Sequence, residues 1–592
     1  MKRPLVALAL FGIASSGLAG CKDKESGDGD DVADLEEGEE SAELGTEDET
    51  GAASEWGFAP IYGSPNLDDD DQSGKQDWLE LVFDGDDEIY ALSFTAEQTA
   101  AVGDGKIRLT LVGDAENLRV WHQGTPVLGS NGATPATTYE FRPDAAEVSL
   151  PLELGNFLAR GELTIDRLDA DGSVRESDTI ELVASPLIMN HHLQPAEHLW
   201  VIQTNDNGPF VSGFEAALGS DVTAAPGADY QYDRWIQDEI EFAFSTDPGG
   251  RRLDSVIDSI RDRGLDDFAE DLFSTPNWHI GTWGNPINAT TFDSFGNLDA
   301  APPVEGYPFG RIYYGLEGNE GMDGVLADFL ASQTLQEPFP VDTAWLCVGH
   351  VDEFSSFIPD PSAPKGFRML ISDTTSAYEL LDSLDPSWPI TRYASPYGYS
   401  TAAELAGDAG LRALNEDIQA NELDPLRAKF TAELGLTDED IIEIPTVFEQ
   451  LQGCGPYMVA LTPGTVNLIV ANLEGKGVKL MVPDPFFRDD AEGPEVDPIA
   501  QDFEARMPEG IEVVWIDDWY SYHLLDGEVH CGTNVTRTPL ADWWTEGASC
   551  SASGEGTDMR KLEVLTTITL LLAAAPLACD RPEAGDTEVR AA

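Results

Sequence analysis

The sequence predicts an α/β chain: a β-sandwich over residues 55–187 followed by one large α/β domain over residues 188–548. Short runs with apolar and polar residues in alternation dominate the first part, and buried-looking strands alternating with amphipathic helical patterns dominate the second. No Pro-, Gly- or Ser-rich linker interrupts the second part, so its roughly 360 residues read as a single domain made of repeated units.

The chain opens with Lys2 and Arg3, an apolar run and a small-residue segment ending in Cys21, the layout of a secretory signal over residues 1–21. Leu18-Ala19-Gly20-Cys21 also resembles a bacterial lipoprotein cleavage box. That resemblance implies a lipid on Cys21, attachment to a bacterial membrane through it, and a catalytic part outside the cytoplasm. Residues 22–54 are mostly Asp, Glu, Gly, Ser and Thr, have little to bury, and read as a solvated acidic tether.

In the sandwich, strands are expected at LELVF, IRLTLVG, LRVWH, YEFRP, VSLPLEL and GELTIDRL, each bounded by Gly, Asp or Asn turns. Just ahead of them, Asp69, Asp71, Ser73 and Asp77 offer oxygens at odd spacings around Gly74, like half of a calcium-binding loop. A solvated acidic loop is the alternative reading of that segment.

In the α/β part, LDSVIDSIRDRG places Leu253, Val256, Ile257 and Ile260 on one helical face, and GVLADFLASQ repeats the pattern before an expected strand at Ala344–Val348. Further strands are expected at FRMLIS, VNLIVAN, VKLMVP and IEVVWID. The tail over 549–592 contains, from Met559, a second stretch with basic residues, an apolar run and a small-residue box ending in Cys579. Two joined reading frames, with the natural chain ending near Ser549, or a C-terminal membrane anchor both account for it.

The chain carries 109 acidic and 33 basic residues, a formal charge of −76, which argues against nucleic acid and favours basic partners. Six cysteines, at 21, 347, 454, 531, 550 and 579, are too few and too scattered for a disulfide scaffold. Cys347 and Cys454 are therefore expected to be structural thiols.

Three strings carry the chemistry. In GHVDEF an extended backbone points His350 and Asp352 the same way, so that one substrate atom could touch both. In DRWIQDEIE the same two-residue period sets Gln237, Glu239 and Glu241 on one face, suited to a hard cation, and Asp238 on the other. In GEVHCGTNV, Cys531 is a candidate nucleophile that needs a neighbouring cation, an imidazolium or the substrate's own charge to react. His530 is expected to face away from Cys531, which leaves His350 as the better acid–base candidate.

Together, DRWIQDE, DSFGNL, GHVDEF and DGEVHCGTNV resemble the calcium-dependent protein-arginine deiminases over residues 188–545, with PPVEGYPFGRI and LADWW in register. The resemblance implies a five-bladed, pseudo-symmetric α/β propeller (the pentein fold) preceded by an immunoglobulin-like domain. It makes Cys531 the nucleophile, His350 the general acid–base, and Asp238 and Asp352 the carboxylates that grip a guanidinium. It further implies Trp235 along the aliphatic part of the substrate and Arg251 on the substrate's backbone carbonyl.

One calcium site is implied at Gln237, Glu241, Asp299 and the carbonyls of Phe295 and Leu298, although Asp299 stands where the family usually has Glu. A second is implied at Glu239, with Asp247 and Gly250 departing from the usual Ser and Asn. The implied reaction is calcium-dependent hydrolysis of peptidyl arginine to peptidyl citrulline and ammonia through a covalent thiouronium on Cys531, with arginine-containing proteins as partners. Deimination or amidino transfer on free arginine or agmatine, and a non-enzymatic calcium-binding surface lipoprotein, are the alternatives. Oligomeric state is not legible.

Overall fold

The computed structural model describes residues 56–82, 89–451 and 453–545. The signal segment 1–21, the tether 22–54 and the tail 549–592, with Cys21, Cys550 and Cys579, lie outside the described residues. Among the described residues no helix is long and apolar enough to cross a membrane.

The first part is built from two sheets. One runs in the order Ile61–Gly63, Val174–Ala184, Arg160–Leu168, Lys106–Gly113 and Thr138–Phe141, and the other in the order Tyr90–Phe94, Val148–Leu154, Leu118–His122 and Thr125–Gly129. Strict alternation along Lys106–Gly113 buries Ile107, Leu109 and Leu111, which share one apolar cluster with Val120, Leu150 and Leu152 of the second sheet. Each such side chain taken from water contributes about 1.5–3 kcal/mol.

Of the strand expected at LELVF, the described residues 79–82 are not extended into a strand, and Phe83 lies outside the described residues. Asp77–Leu79 forms a 3-10 turn, with Leu79 and Val82 exposed and Trp78 buried under the Arg119 guanidinium, 4.0 Å from the ring centroid. Arg119 is itself held by Glu153 at 2.7 Å.

The second part repeats one unit: an antiparallel strand pair, a helix, and a strand parallel to the pair's second member. Ile240–Thr246, Arg252–Asp258, helix Phe268–Phe273 and Trp278–Thr282 form one such unit. Leu298–Ala301, Arg311–Leu316, helix Gly324–Ser332 and Phe339–Asp342 form the next. Ser355–Pro359, Phe367–Asp373, helix Thr374–Ser383 and Ile441–Pro445 follow. Ile469–Ala471, Val478–Pro483, helix Pro498–Arg506 and Ile511–Ile516 complete the series.

A fifth unit closes the chain on itself. Its middle strand Ala196–Gln203, helix Gly208–Leu218 and parallel strand Val222–Pro226 come first in sequence, but the antiparallel partner is Thr533–Arg537 from the far end. The middle strands are paired on both edges, and their burial does not follow a strict alternation.

That burial pattern explains one departure from expectation. LDSVIDSI is the strand Arg252–Asp258 and not a helix, because Leu253, Val256 and Ile257 are buried by neighbours on both faces and only by coincidence share helical spacing. Ala344–Val348 is likewise not a strand, and only Leu346 makes a bridge, to Met458. FRMLIS, VKLMVP and IEVVWID do form strands, and the VNLIVAN segment contributes Ile469–Ala471.

The two cysteines expected to be separate thiols are joined as a Cys347–Cys454 disulfide. The pairing follows from the Leu346–Met458 bridge and the bond from Cys347 N–H to the Met458 carbonyl at 2.8 Å. These lay the 344–348 segment beside the hairpin Phe448–Gln450/Met458–Ala460, whose tip carries Cys454.

Candidate active site

The residues that carry chemistry stand just ahead of the first strand of each repeated unit. Asp238 precedes Ile240, Phe295 precedes Leu298, Asp352 precedes Ser355, Asn467 precedes Ile469 and Cys531 precedes Thr533. Because the units repeat, equivalent positions arrive at one place.

None of the three key strings is extended there. Ile236–Glu239 is a single helical turn, Val351–Glu353 a 3-10 turn, and residues 529–532 a turn. The helical turn ends at Glu239 and the backbone is extended from Ile240, so Gln237 Nε2 donates to Glu241 Oε2 at 2.7 Å, while Glu239 is directed elsewhere. The turn at 529–532 likewise puts His530 and Cys531 on the same carboxylate, against the expectation that they face apart. Asp352 Oδ2 is 2.9 Å from His530 Nδ1 and 3.3 Å from Cys531 Sγ.

His350 is buried with its Nε2 2.9 Å from the Thr291 carbonyl oxygen and its Nδ1 3.7 Å from Asp238 Oδ1. Its backbone N–H donates to Glu353 at 2.8 Å. Gly296 is needed here. A Cβ on it would stand 2.6 Å from His350 Nδ1 and 3.1 Å from Asp352 Oδ2, so a side chain would separate the imidazole from the carboxylate. Cys531, Asp352, Asp238 and His350 thus form one enclosed group.

Cys531 is the one free cysteine among the described residues, and its thiol is pushed well above the usual range by burial, then by Asp352 and Asp238. His530 is raised. Burial would lower it, but the bond to and charge of Asp352, followed by Asp299 and Glu241, outweigh that.

Asp238 Oδ2 already accepts from the Arg263 guanidinium at 3.2 Å. Trp235 ends the preceding turn, packs edge-on to Tyr522 with centroids 5.4 Å apart, and lies over Gly527, where a Cβ would come within 2.3 Å of the ring.

Residues for a hard cation lie on one side of this group. Gln237 Nε2 reaches the Phe295 carbonyl at 3.2 Å, and Asp299 Oδ2 accepts from Tyr313 at 2.8 Å. Leu298 begins the strand that carries Asp299. Burial, then Asp299, pushes Glu241 to about 8, and burial pushes Asp299 to about 6. Two carboxyls enclosed together without a cation cannot both stay charged, and a set of carboxylates, one amide and backbone carbonyls fits calcium.

Around Glu239 the structure replaces the expected partner. Asp247 is engaged elsewhere, accepting from Tyr90 at 2.9 Å and pairing with Arg251 at 3.1 Å. Both Glu239 oxygens and Asp258 Oδ1 are buried without a hydrogen-bond partner, and Ser259 N–H donates to the Glu239 carbonyl at 2.8 Å. Burial pushes Glu239 to about 9 and Asp258 to about 7. Asp258, not Asp247, is therefore the acid beside Glu239.

Arg251 also departs from its expected role, since its guanidinium lies 4.4 Å from the centroid of the Tyr90 ring and bonds the Ile89 carbonyl. It ties the α/β part to the sandwich. In the sandwich loop, carboxylate oxygens of Asp69, Asp71 and Asp77 lie within 4.8 Å of one another, while Ser73 contributes its backbone N–H to Asp69 and Asp71.

Three participants were not singled out in the sequence: Asn467, Arg263 and Asp258. Arg263 and Asp258 are hidden in a charge-rich string. Asn467 is the polar interruption of the apolar run VNLIVAN, a signal that was present but indistinguishable from a strand edge.

A protein-family model described as protein-arginine deiminase (PAD) matches residues 174–545. The type-4 protein-arginine deiminase of Rattus norvegicus is 34% identical over 400 residues, covering 62% of this chain and 56% of that protein. The type-1 enzyme of Homo sapiens is 33% identical over 427 residues, covering 66% and 60%. The human type-4 enzyme is 31% identical over 410 residues, covering 64% and 59%. The chain thus spans under two thirds of the length of these relatives.

Proposed function

The chain belongs to the protein-arginine deiminase family, and from that premise we propose that it hydrolyses peptidyl arginine to peptidyl citrulline and ammonia with Cys531 as nucleophile. The α/β pentein fold goes with the family. The five repeated units are read as the blades of a propeller, and the two-sheet part as an immunoglobulin-like domain.

The observation that carries the reading is the enclosed group in which the Cys531 sulfur lies 3.3 Å from Asp352, with Asp238 and His350 beside it. A buried thiol facing two carboxylates is held protonated, so without substrate it reacts slowly with neutral electrophiles and faster as pH rises. A guanidinium entering between Asp238 and Asp352 cancels the charge that holds the proton on sulfur. It also fills the planar fork-shaped demand of both carboxylates. Asp238 shows the appropriate chemistry already, by accepting the Arg263 guanidinium.

With substrate bound, the Cys531 thiol gives its proton to His350 and the resulting thiolate attacks the guanidinium carbon, forming a C–S bond. The tetrahedral species collapses as one C–N bond breaks, and His350 delivers a proton to the departing nitrogen, which leaves as ammonia. The same imidazole then takes a proton from water, whose oxygen attacks the thiouronium carbon. The C–S bond breaks and citrulline and the thiol are restored. Asp238 and Asp352 stabilise the cationic species at each stage.

Calcium would be held by Gln237, Glu241, Asp299 and the carbonyls of Phe295 and Leu298, and a second ion by Glu239 with Asp258. It supplies charge that lets these buried acids ionise. The residues of the 236–241 turn and the 295–299 segment are then held in the arrangement that presents Asp238.

A peptidyl substrate rather than free arginine is favoured by the half-buried Trp235, three residues ahead of Asp238, and by the surplus of acidic residues, which attracts basic protein segments. Export and lipid attachment at Cys21 are part of the same reading. They are supported by the lipoprotein-type box and by a disulfide, a bond that persists in oxidising compartments.

The deciding experiment is a citrulline assay on the full chain with an N-acylated arginine amide, free arginine and agmatine, each with calcium or a chelator. Turnover of the amide that needs calcium and vanishes in Cys531→Ala is expected. Equal turnover of free arginine or agmatine, or none of any substrate, would overturn the proposal.

A further inference from the structure

Asn467 is 2% exposed and makes every bond its side chain can make at the junction of two catalytic segments. Its Oδ1 accepts the backbone N–H of His530 at 2.8 Å and of Cys531 at 3.3 Å. Its Nδ2 donates to the Asp352 carbonyl at 3.1 Å and faces the Cys531 sulfur at 3.2 Å. The amide orientation is settled by the partners: two N–H donors demand the oxygen on one side, and a carbonyl demands the nitrogen on the other.

Placement in the fold points the same way. Of the five segments that precede the first strands of the repeated units, four supply groups already given roles: Asp238, Phe295, Asp352 and Cys531. Asn467 is the contribution of the fifth, two residues ahead of Ile469–Ala471.

We propose that Asn467 is a catalytic residue of this site, its amide N–H stabilising the Cys531 thiolate while its oxygen holds the nucleophile turn in register with Asp352. The inference rests on the assignment of Cys531 as nucleophile. A thiolate formed beside Asp352 and Asp238 is opposed by both charges, and a neutral donor is the only kind of group that can favour it without competing for the guanidinium. A lysine or arginine in this position would repel the substrate cation. An amide does not.

The groups facing the sulfur are Asp352 from the turn after His350, Asp238 from the turn before Ile240, the Glu528 backbone and Asn467 itself. His530, on the same turn, directs its Nδ1 to the Asp352 oxygen that also faces the sulfur. Asn467 Nδ2, 3.2 Å from the sulfur, is placed to donate to a thiolate there. Deleting the amide donor should therefore show in the acidity of the thiol itself and not only in turnover.

The test is the pH dependence of iodoacetamide alkylation of Cys531, followed by peptide mass spectrometry on the full chain in calcium without substrate. Wild type, Asn467→Ala and Asn467→Asp are compared, with thermal unfolding as the check on folding. Asn467→Ala is expected to move the alkylation midpoint up by about one pH unit, a tenfold loss of thiolate at a fixed pH, and Asn467→Asp further. Citrulline turnover should fall with them.

Unchanged midpoints in folded variants would overturn the proposal, and so would loss of the fold in both, which would make Asn467 a scaffold residue only. If one variant folds, that one decides. Because alkylation needs no turnover, a chain that makes no citrulline but shows the shift would sink the deiminase reading and leave this one standing.

Discussion

The Asp352 carboxylate stands 3.3 Å from the Cys531 sulfur, with one oxygen shared between that sulfur and His530 Nδ1. The nucleophile and the group that grips its target are thus in direct contact, and each constrains the other. Asp352→Asn should make the thiol easier to ionise and the enzyme worse. Alkylation of Cys531 is expected to shift to lower pH, while kcat/KM for an arginine amide falls by on the order of a hundredfold or more. An alkylation midpoint that stays in place or moves to higher pH would contradict the arrangement.

Metal removal has a pH signature. Asp299, Asp258, Glu241 and Glu239 are held at about 6, 7, 8 and 9, above ordinary carboxylate values, each chiefly by burial. A carboxyl raised in the folded state favours folding fully at low pH, and that contribution is lost as pH rises through its folded value. In chelator, the unfolding temperature should decline across pH 6 to 9. In calcium that decline should be much reduced, because the bound ion stabilises the charged forms. Curves that stay parallel in the two buffers would argue against calcium at these acids.

The Cys347–Cys454 bond closes a loop across a sequence separation of 107 residues, three residues upstream of His350. Cys347→Ser is expected to lower stability by about 2–5 kcal/mol, read from urea unfolding, with activity falling as the His350 segment loosens. Peptide mapping without reductant should recover the two cysteines in one cross-linked species, and separate thiols would refute the pairing.

Arg251 and Gly527 separate an interface from a substrate contact. Arg251→Ala removes a guanidinium stacked on Tyr90 and paired with Asp247, so stability should fall by about 0.5–2 kcal/mol with KM unchanged. Gly527→Ala sets a methyl group 2.3 Å from the Trp235 ring, a clash of about 1–3 kcal/mol that moving the ring relieves. KM should then rise with a smaller change in kcat. The opposite pattern in the pair would restore Arg251 as the substrate contact.

The legible part of the site was the part written contiguously. GHVDEF and GEVHCGTN announce acid, imidazole and thiol within a few residues, and FRMLIS, VKLMVP and IEVVWID announce strands by their β-branched and apolar content. The same strings misled wherever the backbone was assumed straight. A helical turn at Ile236–Glu239 reassigned Glu239, and a turn at 529–532 brought His530 onto Asp352. LDSVIDSI shows the related limit, since a strand buried on both faces carries no period that separates it from a helix.

By itself, then, the amino-acid order determined which chemical groups exist, their local spacing and the family they belong to, because those are properties of neighbours along the chain. Only the tertiary structure decided that Asn467 touches Cys531, that Asp258 rather than Asp247 stands by Glu239, and that Cys347 meets Cys454. Those meetings are set by strand pairing between distant segments and by the burial of both faces of each sheet. They join residues whose separation in sequence carries no information about their separation in space.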